Sequence, residues 1–146
     1  MPSRESADTI EVNGRSYKWP DRPLVVVCID GSEPDYDESD GGGYIERAVA
    51  AGAMPFMQGM LESGTRRLAE CAMPSFTNPN NLSIVTGVPP AVHGICGNYF
   101  YDPESDAEVM MNDPKFLRAG TILAAFANAG AKVAVVTAKD KLRRLL

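Results

Sequence analysis

The chain has 146 residues, with 14 Lys+Arg against 19 Asp+Glu for a formal net charge of −5, 45% hydrophobic residues and a single histidine. That length suits one domain able to hide about two thirds of its unfolded-chain surface, and the acidic balance without a Lys/Arg run argues against a nucleic-acid surface. No stretch approaches the ~18 apolar residues of a membrane span, and the opening MPSRESADTIEVNG lacks the apolar segment of a signal peptide, so a cytoplasmic protein without a membrane partner is expected.

Residues 1–20 read as a polar arm and a hairpin, because Asn13-Gly14 sits between Ile10, Val12 and Tyr17 in near-alternating order. Residues 21–146 read as one α/β domain. LVVVCID, residues 24–30, is a continuous β-branched run of the kind found where both faces of a strand are covered. The acidic, Gly-rich stretch 34–43 follows as a loop. A short helix is expected at 44–51, and Pro55 opens a second whose Phe56, Met57, Met60 and Leu61 share one face, with Gly64 to end it. A strand is expected at 65–72 and a helix at 78–86, closed by Gly87, Pro89 and Pro90. Residues 94–112 read as irregular and partly extended. A helix over 120–129, ended by Gly130, leads to KVAVVTAK at 132–139, a second buried-type strand. Apolar strands alternating with helices predict an α/β fold, a mainly parallel sheet flanked by helices. Ligands in such sheets bind beyond the carboxyl ends of the strands, where Asp30 and Lys139 both fall.

Several residues carry chemistry in more than one reading. Asp30 is either a carboxylate presented to a cation or a turn residue ahead of Gly31. Thr77 is either an N-cap or a hydroxyl placed at the positive end of a helix dipole for nucleophilic work. As a nucleophile it needs activation, and a metal would supply it, since bound zinc lowers the pKa of water to about 7. His93 cannot build a zinc site alone, and a packing role is expected of it. Lys139 and Lys141, two apart, would share one face of a continuing strand and either bind an anionic substrate or remain a solvated terminus. The loop from Asp35 to Glu46 matches EF-hand spacing superficially, with Asp40 where Gly belongs, and a solvated acidic turn is the default. Cys28, Cys71 and Cys96 are odd in number and far apart, so reduced and mostly buried thiols are expected.

Taken together, VVVCIDG at 25–31 and PSFTNPNNLSIVTGVPPAVHGICGNYFYDP at 74–103 resemble the alkaline phosphatase superfamily, in its nucleotide pyrophosphatase/phosphodiesterase branch. VNGRSYKWPDRPLVVVCIDG and TAKDKL bring the resemblance closer to the phosphonoacetate hydrolase group. The resemblance covers about residues 10–146. It implies Thr77 as a nucleophile that passes through a phosphothreonine, Asp30 and Thr77 as ligands of one of two Zn2+ ions, Asn98 on a phosphoryl oxygen, and Lys139 and Lys141 on the substrate carboxylate. The implied reaction is hydrolysis of the carbon–phosphorus bond of phosphonoacetate, a small-molecule phosphonate, to acetate and phosphate. Alternatives are a phosphodiesterase or phosphomonoesterase of the same superfamily, or a non-catalytic anion-binding relic.

The family's remaining zinc ligands, an Asp and a His a few residues apart, an adjacent Asp-His pair and a late His, have no counterpart here. His93 matches the H-G-I element, which is not a ligand in the pattern. The expectation is therefore an N-terminal portion of a larger enzyme, inactive alone.

Overall fold

The computed structural model describes residues 9–32 and 43–146, so most of the acidic loop, including Asp35 and Asp40, lies outside the described residues. The chain divides into two units, one of Val25–Glu70 and the other of residues up to Leu24 together with Cys71–Leu146.

In the larger unit, Thr9–Val12 (β1) and Arg15–Lys18 (β2) form the expected antiparallel hairpin. Its two-residue turn has φ of 50° at Asn13 and 74° at Gly14. Positive φ at both central positions is what a type I′ turn demands, and Asn-Gly supplies it at least steric cost. Asn13 also ties this hairpin down: its Nδ2 donates to Thr86 O at 2.8 Å and to Gly120 O at 2.7 Å. Trp19 then packs on Phe126 with ring centroids 5.6 Å apart.

Thr77–Thr86 forms α3 of the chain-order numbering in which Tyr44–Ala50 is α1 and Pro55–Ser63 is α2. Gly87 ends α3 in the left-handed region with φ of 69°, which favours glycine, and a Cβ there would crowd the Tyr17 hydroxyl. Pro90 does not merely follow α3. It starts a further turn of helix, Pro90–His93 (α4), at the N-terminal position where its missing N–H costs nothing. Residues 94–112, expected to be irregular, hold a second antiparallel hairpin, Tyr99–Asp102 (β3) with Ala107–Met110 (β4). Its turn is closed by Asp102, whose two carboxylate oxygens accept from Glu104 N–H at 3.2 Å and Ser105 Oγ at 2.7 Å. Ile122–Asn128 (α5) follows, with the Thr121 hydroxyl accepting from Ala124 N–H at 3.0 Å as its cap.

The core of this unit is Leu82, Ile95, Met111, Leu142 and Leu145. Phe100 and Phe116 pack against it edge to face at 5.2 Å. The last residues thus belong to the core: a 3-10 turn at Asp140–Leu142 carries Leu142 inward and Leu145 follows.

The smaller unit contains α1 and α2, both close to their expected bounds, with Pro55 in the first turn of α2 and Gly64 accepting its C-cap role. Arg66 and Glu46 pair at 2.6 Å. The apolar face of α2 is exposed at Phe56, Met60 and Leu61.

The expected strands differ most. Among the described residues both ladders are antiparallel hairpins, and the runs 24–30, 65–72 and 132–139 belong to no ladder. A β-branched run becomes a strand only when neighbouring strands take its backbone hydrogen bonds and packed layers cover its faces, and the described residues offer neither to these runs. The cysteines depart from expectation for related reasons. Cys28 lies in an unpaired run, Cys71 in the connection before α3 and Cys96 in the loop before β3, so all three are free and exposed rather than buried. No helix among the described residues is long and apolar enough to cross a membrane.

Candidate active site

The site is built at the N-terminus of α3. Thr77 is the first residue of that helix, while Phe76 occupies the cap position with no side-chain cap hydrogen bond. The capping role that competed for Thr77 in the sequence is therefore not the one it takes. Its backbone is held by neighbours from its own helix: Asn81 Nδ2 donates to Thr77 O at 2.9 Å, and Asn80 Nδ2 donates to Phe76 O at 3.1 Å. Asn80 also grips the incoming chain, accepting from Ala72 N–H at 2.8 Å.

Asn98 reaches the same helix end from the loop ahead of β3. Its Oδ1 accepts from the Asn78 N–H at 3.1 Å. That contact uses one of the amides a helix start leaves without an intrahelical partner, and it turns the Nδ2 of Asn98 into the group available to donate elsewhere. Asn78 itself is fully buried, with Nδ2 donating to Met111 O at 3.0 Å, so α3 and the β3–β4 hairpin are locked together beneath the site.

Lys139 approaches from the C-terminal segment, with Nζ 3.4 Å from Thr77 Oγ1, a long hydrogen bond spanning 62 residues of sequence. The docked Leu142 and Leu145 set the reach of this lysine, and its own N–H donates to Thr137 Oγ1 at 3.1 Å. Lys141 is half-buried within the 3-10 turn. The expected strand does not continue through these lysines, because burial of Leu142 bends the chain into a turn with about three residues per revolution, where positions two apart do not share a face.

Asp30 lies in the smaller unit, in a turn with Gly31 at φ of 83°, and the Ser32 hydroxyl donates to Ile29 O at 2.8 Å beside it. Among the described residues no group of three His, Cys, Asp or Glu gathers to hold a metal. Asp30 and Thr77 would furnish two ligands where zinc takes four, so the donor set of these residues does not by itself fit a zinc site.

His93 is fully buried and has the packing role expected of it. Its Nδ1 accepts from Ile95 N–H at 3.1 Å, so the other ring nitrogen carries the proton and donates to Ser83 Oγ at 3.0 Å. Burial holds the imidazole pKa below its usual 6.5, and the nearby Arg118 charge adds to that effect. Because the unfolded histidine still binds a proton near 6.5, its contribution to stability is complete above that pH and is lost as pH falls toward the lowered folded value. As the chain holds one histidine, urea unfolding midpoints between pH 7.5 and 5.5 are expected to fall, and His93→Gln is expected to flatten that slope. An unchanged slope in the variant contradicts the assignment.

The asparagines were the functional residues missed in the sequence. Asn78, Asn80 and Asn81 crowd the first turn of α3. Asparagine is a poor helix former, and three within one turn signal side chains engaged in fixing backbone, which is what they do here.

With this geometry in view, residues 24–140 match the family model of type I phosphodiesterase / nucleotide pyrophosphatase. Among solved structures, phosphonoacetate hydrolase from Sinorhizobium meliloti 1021 in complex with phosphonoformate is 59% identical with a TM-score of 0.82, and the match covers 94% of this chain and 31% of that one. The same enzyme in complex with phosphonoacetate is 58% identical with equal coverage and TM-score. Among curated relatives, ectonucleotide pyrophosphatase/phosphodiesterase family member 1 of Rattus norvegicus is 29% identical over 104 residues, 70% of this chain and 10% of that protein. Its Homo sapiens counterpart is 31% identical over 86 residues, 58% of this chain and 8% of the relative. The chain thus spans about a third of the solved hydrolase and about a tenth of the curated relatives.

Proposed function

Because the chain belongs to the type I phosphodiesterase / nucleotide pyrophosphatase family and has an alkaline phosphatase-like α/β fold, we propose that it carries the nucleophile and carboxylate-binding part of a phosphonoacetate-cleaving hydrolase. The observation that carries this reading is the approach of Lys139 Nζ to within 3.4 Å of Thr77 Oγ1 at the start of α3. A phosphonate whose phosphorus sits at the Thr77 hydroxyl has its carboxylate two bonds beyond, within reach of that ammonium group.

In this proposal the Thr77 oxygen attacks phosphorus, the carbon–phosphorus bond breaks, and its electron pair passes to the departing carbon. That carbon can leave because the adjacent carboxylate takes the charge as an enediolate, which takes up one proton from water to become acetate while the Thr77 hydroxyl gives up one proton to water as its oxygen attacks. In this reading Lys139, supported by its approach to Thr77, and Lys141, on the family resemblance, hold that charge, and their interaction with it strengthens along the reaction and lowers its barrier. Asn98, oriented through its Oδ1, donates from Nδ2 to a non-bridging phosphoryl oxygen. Water finally cleaves the phosphothreonine to release phosphate.

The family resemblance adds two zinc ions, with Asp30 and Thr77 as ligands of one. Two ligands fall short of the four that zinc takes, and when bound the metal would supply Lewis-acid polarisation of the phosphoryl group. The catalytic assay accordingly uses a chimera in which this chain replaces the matched 31% of the Sinorhizobium meliloti hydrolase. Phosphate release from phosphonoacetate is expected to exceed that from nitrophenyl phosphate esters. The family match and the rat relative favour a second reading, ester hydrolysis, and faster turnover of the esters decides for it.

A further inference from the structure

Asn78, the residue after Thr77, is fully buried, yet only half of its side-chain amide is used. Its Nδ2 donates to Met111 O at 3.0 Å, while Oδ1 has no hydrogen-bond partner among the described residues. Chemistry fixes this orientation: a backbone carbonyl only accepts, so the amide turns its NH2 toward Met111 and its oxygen away. An acceptor buried without a donor costs stability, whereas an apolar side chain of similar size would fill the same space without that cost. The amide is therefore not there for packing alone.

The bonds around it close a ring of three residues. Asn78 Nδ2 holds the Met111 carbonyl, the Met111 N–H donates to Asn98 O at 2.8 Å, and Asn98 Oδ1 accepts from the Asn78 N–H at 3.1 Å. Asn98 and Met111 stand at the open end of the β3–β4 hairpin, one pair beyond Tyr99 and Met110. Asn78 thus grips both strand ends, one with its backbone and the other with its side chain. Because a backbone N–H only donates, Asn98 faces it with Oδ1 and keeps Nδ2 for another acceptor. Both the place and the rotation of the Asn98 amide are in this way set from α3, the helix that begins with Thr77.

We propose that Asn78 is a positioning residue that holds the Asn98 amide at a fixed place and rotation relative to the Thr77 hydroxyl. The inference rests on the phosphoryl-oxygen role proposed above for Asn98. A donor accelerates a reaction most when it already stands where charge develops, so loosening it costs rate although no group that touches substrate has been removed. Phosphoryl oxygens are common to phosphonates and phosphate esters. The effect of Asn78 therefore falls on both substrate classes, unlike that of the two lysines.

The test is a double-mutant cycle in the chimera, with Asn78→Leu, Asn98→Ala and the double variant assayed on phosphonoacetate and on nitrophenyl phosphate esters. Asn98→Ala is expected to lower kcat by about a hundredfold on whichever substrate turns over. Asn78→Leu is expected to lower kcat on the same substrate by roughly tenfold or more, with KM changed by less than about threefold. Its urea unfolding midpoint is expected to stay at the parent's, because leucine removes the orphaned acceptor together with the donor. In the Asn98→Ala background, Asn78→Leu is expected to add less than about twofold. Asn78→Ala, which also deletes the amide, is the second variant should leucine not fit. Additive losses, or a loss no larger than the fall in folded fraction, give Asn78 a purely structural role and overturn the proposal, as does unfolding of both variants. A full loss in Asn98→Ala beside parent-like Asn78→Leu overturns it and leaves the role of Asn98 intact. A silent Asn98→Ala removes that role and the proposal together.

Discussion

Thr77→Ala in the chimera is expected to lower phosphate release from phosphonoacetate by roughly a thousandfold or more, because removal of a nucleophile leaves only binding and electrostatic assistance. Thr77→Ser, which keeps the oxygen, is expected to retain a measurable part of the rate. Neither substitution should disturb the fold. Thr77 is the first residue of α3 and not its cap, and the helix start is secured by Asn80 and Asn81 rather than by the threonine hydroxyl. Unfolding free energies of both variants are therefore expected within about 1 kcal/mol of the parent. Parent-like turnover by Thr77→Ala assigns the attack on phosphorus to another group.

Lys139→Ala is expected to lower kcat/KM for phosphonoacetate by about a hundredfold, the order lost when one charge-stabilising donor is removed from a reaction centre. Lys141→Ala is expected to act in the same direction. The informative comparison is with nitrophenyl phosphate esters. Their leaving group carries no carboxylate for a lysine to hold, so the same variants should change ester turnover by only a few-fold. A loss falling mainly on kcat places the lysine at the developing enediolate, whereas a rise in KM alone makes it a simple binding residue. Equal losses on both substrates point to a structural effect transmitted through the 3.4 Å contact with Thr77.

What the sequence made legible was decided locally. The Asn13-Gly14 turn, Pro55 at the start of α2, and Gly87 at the end of α3 each act within a few residues, and each appears where expected. The order of short motifs along the chain was equally plain, and it pointed to the family whose model matches residues 24–140. The β-branched runs were expected to be covered strands and belong to no ladder among the described residues, because whether a strand forms depends on distant partners that a run does not encode. For the same reason Cys28 was expected inside and lies outside. The site geometry was non-local as well. Lys139 reaches Thr77 because Leu142 and Leu145 dock in a core with Leu82 and Ile95, which no spacing rule anticipates. Asn78 went unnoticed because its work is to donate one backbone hydrogen to a side chain twenty positions away.

The central claim, that Thr77 takes the phosphoryl group from carbon, is tested most directly by rapid acid quenching of the chimera during phosphonoacetate turnover, followed by peptide mass spectrometry. The account predicts a phosphoryl adduct on Thr77 that accumulates together with an equivalent of acetate and disappears as substrate is exhausted. Acetate release with a phosphoryl group on no residue, or on a residue other than Thr77, contradicts it.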